Sequence, residues 1–252
     1  MAKKTLLKIV QDILNDLDSD EVNSINDTVE SMQIAQIVQS CYEELSTNRN
    51  WPHQKRVMQL DASGTLSRPN YLKIPSEVKE LLQFKYEKSK VDETKLQYLD
   101  VKFIYPDEFL QLTYARDSSA DNVQTVLDNS GVSLLIYNDK APEYWTTFDD
   151  EWIVCDAYDL EVDSTLKKSK TQIVCYKELD FSLTDDFIPE MPSEAFPLLV
   201  EEAKSTAFLV LKQMANQKAE QKAGRQQRWL SRKAWKAHGG IRYESYGRKG
   251  NK

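Results

Sequence analysis

Two histidines, His53 and His238, lie at opposite ends of the 252-residue chain, one beside Trp51-Pro52 and the other beside Gly239-Gly240. No cysteine or histidine stands at zinc-site spacing from either. The three cysteines, Cys41, Cys155 and Cys175, are odd in number and far apart, which fits synthesis in a reducing cytosol. Nothing resembles a nucleophile elbow, and seven glycines give little material for a phosphate-cradling loop. Carboxylates are the abundant chemical group. Asp149, Asp150, Glu151 and Asp156 fall within eight residues, a cluster that could serve two metal ions or a glycosidase pair. The competing reading is an acidic hairpin turn followed by a strand, because Asp carboxylates bond to nearby backbone N–H groups. Asp61 with Glu77 and Lys79 can be drawn as a nuclease-like Asp…Glu-x-Lys, a match that most charged chains offer by chance. These residues point away from an enzyme and imply no catalytic residue, cofactor or metal.

The other chemically suggestive group is basic and aromatic. Arg225, Arg228, Arg232, Lys233 and Lys236 are interleaved with Trp229 and Trp235, then come Arg242, Tyr243, Tyr246 and Arg248. From Glu201 to Lys252 there are 13 Lys/Arg against 4 Asp/Glu, a balance of +9, whereas the first 200 residues carry 20 against 36, a balance of −16. An acidic body with a basic end marks a segment that binds something anionic. Three readings stand open. The segment docks on a protein partner, since Trp, Tyr and Arg are common interface anchors. It binds nucleic acid, since cations attract phosphate and aromatic rings stack on bases. Or it is a solvated helix end with a disordered tail. Two tryptophans six residues apart in so polar a stretch argue against the last. The candidate partner-binding residues are Arg225, Arg228, Trp229, Arg232, Trp235, Lys236, Arg242, Tyr243, Tyr246 and Arg248.

The elements that must carry these groups follow from periodicity. Leu6, Ile9/Val10, Ile13 and Leu17 recur every three to four residues and predict a helix that Asp18-Ser19-Asp20 ends. A second helix is predicted to open near Asp27, where Asp27 and Glu30 have capping-box spacing, with Ile34, Ile37/Val38, Cys41/Tyr42 and Leu45 on its apolar face. Pro52 marks its end. Lys55–Leu60 and Tyr71–Ile74 read as strands separated by a Ser-Gly turn, and Leu82, Phe84 and Tyr86 alternate as in a half-buried strand. Pro106 opens a short helix bearing Phe109, Leu110 and Tyr114, and Asp117 to Gly131 reads as a mobile loop. Val132–Tyr137, Tyr144–Phe148 and Trp152–Asp156 read as a three-stranded meander; Gln172–Tyr176 is either a strand or a helix end. After Pro189 and Pro192 a long helix carries Phe196, Leu199/Val200, Ala203, Ala207, Val210/Leu211 and Met214 on one face. Beyond Met214 the apolar face fades, helix continuing at most without a core to cover, and from Gly239 the chain reads as an extended tail.

The expected fold class is α+β. Residues 1–50 and 190–224 form a helical bundle, with Leu6, Ile9, Ile13, Ile34, Ile37, Leu199, Ala203 and Val210 in a shared core. Residues 51–189 form a β-rich insertion, and 225–252 a basic aromatic extension, disordered until a partner orders it. No apolar run approaches the length of a membrane span.

The stretch Asn138-Asp139-Lys140-Ala141-Pro142-Glu143-Tyr144-Trp145-Thr146-Thr147-Phe148-Asp149-Asp150 resembles a segment of phage neck proteins. Leu6–Leu17, Ile25-Asn26-Asp27-Thr28-Val29-Glu30-Ser31, Glu202-Ala203-Lys204-Ser205 and Leu211-Lys212-Gln213 extend the likeness, in order, from about residue 5 to about residue 235. The family is the bacteriophage head–tail adaptors (connectors), similar to tail tubular protein A of short-tailed phages. The resemblance implies a virion structural protein of the neck, made in the host cytoplasm. Twelve copies form a ring beneath the portal protein and above a downstream tail or nozzle protein. Double-stranded DNA passes through the channel during packaging and ejection, and the C-terminal extension reaches toward the portal. It implies no catalytic residues. Such a ring needs two different complementary faces per subunit, and an acidic wall lets a polyanion slide without sticking. The alternative is a nucleic-acid-binding protein that uses the basic C-terminal tail; a metal-dependent nuclease or a muramidase is a third.

Overall fold

The structure, a computed structural model, describes residues 3–89 and 95–232. In chain order the elements are α1 (Leu6–Asp16), α2 (Val29–Thr47), β1 (Lys55–Met58), β2 (Asp61–Ala62), β3 (Tyr71–Lys73), β4 (Val78–Glu87) and β5 (Tyr98–Phe103). There follow α3 (Pro106–Tyr114), β6 (Val123–Leu127), β7 (Ser133–Tyr137), β8 (Tyr144–Thr147), β9 (Trp152–Cys155), β10 (Thr171–Lys177), α4 (Phe196–Lys212) and α5 (Gln217–Arg232). The fold class is α+β, with two compact units. One is helical and drawn from both chain ends, up to Gln54 and from Leu179; the other is the β-rich Lys55–Glu178.

In the helical unit α1 and α2 have side-chain-capped starts, and the helices bury apolar stripes against one another. Thr5 caps α1, its hydroxyl accepting the Lys8 N–H at 3.3 Å. For α2 the expected Asp27–Glu30 box is corrected. Thr28 is the cap, its Oγ1 accepting the Ser31 N–H at 3.0 Å while the Ser31 hydroxyl accepts the Thr28 N–H at 3.1 Å. Asp27 instead holds the preceding turn by accepting the N–H groups of Asn23 and Ser24. At the other end of α2 the Trp51 indole N–H donates to the Leu45 carbonyl at 2.7 Å. Helices α1, α2 and α4 pack together, burying Leu6, Ile9, Ile13, Ile34, Val38, Leu199, Ala203 and Ala207. Two expected core residues differ: Ile37 is only partly buried, and Val210 is 58% exposed. The buried ridge of α4 runs in steps of four, 199-203-207, so Leu211 and not Val210 continues it.

In the β-rich unit eight strands form one sheet in the order β1-β10-β4-β5-β8-β9-β3-β2, and β6 and β7 make a separate hairpin. All pairs are antiparallel except β5 with β8. Several expectations are corrected here. The expected strand Lys55–Leu60 ends at Met58; β1 pairs β10, and β3 lies between β2 and β9. The polar stretch 117–131 is not simply a loop, since it contains β6, which pairs along its length with β7. The meander is therefore reduced to the β8–β9 hairpin. Residues 172–176 are strand, inside β10, with a neighbour on each side. Leu82 leaves the alternation of Phe84 and Tyr86 because a bulge falls on it. Gln83 pairs Val174 and Leu81 pairs Cys175, so Leu81 packs on the core while Leu82 is 42% exposed.

Candidate interaction surface

Asp149, Asp156, Asp61 and Glu77, four of the carboxylates that could have done chemistry, are engaged in turns or ion pairs. Asp149 Oδ1 accepts the N–H groups of Glu151 and Trp152 at 3.0 and 2.9 Å. Asp150 sits at φ +59° and donates its N–H to Thr147 Oγ1 at 2.9 Å. Together they build the β8–β9 turn. Asp156 lies at the opposite end of β9, with its side chain only 1% exposed. There it pairs with Arg116, whose Nη2 stands 3.0 Å from Asp156 Oδ2. Arg116 Nη1 donates to the carbonyls of Leu135 and Asp156, and its guanidinium lies 4.0 Å from the centroid of the Tyr137 ring. Asp156 Oδ1 accepts the N–H groups of Glu143 and Tyr144. The pair ties the end of α3 to β7, β8 and β9. Sequence reasoning missed Arg116, because its partner is 40 residues away and no local pattern marks it.

The remaining candidates are likewise occupied. Asp61 pairs with Lys168 at 2.7 Å and Glu77 with Lys177 at 2.8 Å. His53 is in a 3-10 turn, its ring 6.4 Å from that of Trp51; His238 lies outside the described residues. Among the described residues no three His, Cys, Asp or Glu side chains come together as metal ligands would. The cysteines are buried, and burial pushes the Cys41 thiol up to about 11 and the Cys155 and Cys175 thiols up as well. A thiol held neutral in this way is a poor nucleophile.

What is left is the last helix among the described residues. Arg225, Arg228, Trp229 and Arg232 fall on α5, which corrects the expectation of disorder over residues 225–232; the rest of the segment lies outside the described residues. The helix turns back after Gln213, which adopts the left-handed conformation at φ +52°, and α5 packs on α4 through Ala219, Ala223 and Leu230. Alanines at that spacing let two backbones come close without large side chains, so a search for bulky apolar residues passes them by. Lys222 adds an ion pair to Glu201 at 2.9 Å. Lys218, Lys222, Arg225 and Trp229 are spaced four, three and four apart, one helical face; all four are exposed, Trp229 at 44%. Trp235, Lys236, Arg242, Tyr243, Tyr246 and Arg248 lie outside the described residues.

Glu202 on α4 gives the helical unit a local strain of charge. Its pKa is raised, first by burial and then by the neighbouring carboxylates of Glu44 and Glu220. No protein-family model and no curated protein matches the chain. No helix among the described residues is long and apolar enough to cross a membrane.

Proposed function

We propose that the protein is a head–tail adaptor subunit of a tailed bacteriophage. Twelve copies form a ring beneath the portal, and DNA passes through it during packaging and ejection. The observation that carries this reading is the helical unit built from both chain ends, with a β-rich unit inserted between them in sequence. That is the arrangement the family resemblance implies. The cationic, tryptophan-bearing face of α5 supports it further, because it leads directly into the segment expected to reach the portal. Arginine beside tryptophan suits docking on an acidic protein: a guanidinium stacks on the indole and still pairs with carboxylates. Asp156, Asp61 and Glu77 are held in ion pairs and Asp149 in a turn, and no reaction is proposed.

The test is to mix the protein with the portal encoded in the same genome and measure mass by native mass spectrometry, with electron microscopy of the product. A gain of twelve subunits per portal ring is expected. A second reading, binding to nucleic acid, is favoured by the clustering of Lys218, Lys222 and Arg225 on one face of α5. It predicts a DNA mobility shift that weakens steeply between about 50 and 200 mM salt. Such a shift, together with no association with portal, overturns the adaptor reading.

A further inference from the structure

The β-rich unit contains an open cavity of about 340 Å³ that the adaptor reading does not use. Its walls include three aromatic rings, Tyr71, Phe148 and Trp152, supplied by β3, the β8–β9 turn and β9. The charged side chains among its lining residues are two carboxylates, Asp128 and Asp149. Asp128 is fixed in place: Oδ1 accepts the Tyr71 hydroxyl at 2.7 Å, and Oδ2 accepts the Ser130 N–H and hydroxyl at 3.1 and 2.9 Å. Burial works against its charge, but these hydrogen bonds outweigh burial and hold its pKa below the usual carboxylate value. Asp149 uses only Oδ1 in the turn, which leaves Oδ2 without a hydrogen bond among the described residues. Of the lining residues, Phe148 and Val132 are each 39% exposed, an apolar edge for a protein surface to cover.

We propose that this cavity receives an arginine side chain presented by a partner protein. The volume is at the small end for ligand sites and ample for one long side chain. Aromatic walls attract a cation through their ring faces, and guanidinium is weakly hydrated, so it enters such walls at little desolvation cost. The same rings already attract cations from within the chain. The Arg68 guanidinium lies 5.7 Å from the Tyr71 centroid and the Lys73 ammonium 5.8 Å from the Trp152 centroid, though neither residue lines the cavity. The two carboxylates supply the counter-charge, with Asp149 Oδ2 available as an acceptor. The inference does not depend on the adaptor reading, and each can fail without the other.

The test uses the full-length chain and two probes, N-acetyl-arginine methylamide and its neutral isostere N-acetyl-citrulline methylamide. Binding is read from the Trp152 indole resonance, assigned with the Trp152→Phe variant. The arginine probe is expected to give a saturable shift, with the citrulline probe several-fold weaker. Asp149→Asn keeps the Oδ1 acceptor that the turn needs and removes only the charge. It is expected to weaken the arginine probe by about two- to fivefold. Equal binding of the two probes, no shift with either, or an unchanged affinity in Asp149→Asn overturns the proposal.

Discussion

Arg116 and Asp156 meet almost out of contact with water, at 5% and 1% side-chain exposure, and each oxygen of the carboxylate and both guanidinium Nη atoms have partners. Removing one member strands the other. Asp156→Ala is expected to cost about 3–5 kcal/mol in urea unfolding. The double change Arg116→Met with Asp156→Leu should recover part of that loss, because an apolar pair no longer has to be desolvated as ions. Equal costs for the single and double variants would contradict a buried-charge origin. Glu202 makes a second residue-scale prediction, of opposite sign. Its pKa in the folded protein is raised, so the folded state holds the proton more tightly than the unfolded chain does. Its contribution to stability is therefore lost as pH rises above the ordinary glutamate value of 4.5. Glu202→Gln should stabilise the protein near pH 7 by roughly a few tenths of a kcal/mol, since water screens a part-exposed group. At pH 4 it should do almost nothing. Thermal melts of both proteins at the two pH values check this.

At the scale of elements, α4 is the helix on which α1, α2 and α5 all converge. Leu199 is fully buried in that core, and Leu199→Ala should cost about 2–5 kcal/mol. Ile37 is only partly buried, so Ile37→Ala should fall below that range. If the two variants unfold at the same urea concentration, the assignment of burial fails. The α4–α5 contact makes the opposite demand, for small residues. Ala223 is 1% exposed, and Ala223→Leu should overpack the contact at a cost of about 1–3 kcal/mol. Because α5 is the last described helix, the loss should appear as local release: faster proteolysis after Lys218 and Lys222, with the β-rich unit unchanged.

For the molecule as a whole, the adaptor reading separates folding from assembly. Truncation after Arg232 keeps α5 and its Leu230 contact and removes residues 233–252, which hold six Lys/Arg, one Asp/Glu, Trp235, Tyr243 and Tyr246. The shortened protein should keep its circular dichroism and urea midpoint but join the portal far more weakly. Truncation after Gly224 removes half of α5 as well, and should also lower stability because Leu230 is lost. Full portal binding by the protein ending at Arg232 would move the docking role onto α5 itself.

The helix faces were legible in the chain because a helix writes its partner-facing residues three and four apart; Leu6, Ile9 and Ile13 show this, as do Leu199, Ala203 and Ala207. The α+β arrangement, with helices at both ends, followed from the same pattern. Strand partners were not legible. Leu60 bonds to Thr171 across 111 residues, and nothing local to either records the other. The strand order, which sets β1 beside β10 and β3 beside β9, was therefore out of reach, and β6 was overlooked inside the polar stretch 117–131. The fate of α5 was hidden for a related reason. Its attachment rests on two alanines and a leucine, too little hydrophobicity to register as a face until α4 is set against it. The buried Arg116–Asp156 pair and the aromatic cavity are both assembled from segments far apart in sequence, so only tertiary structure could bring them together.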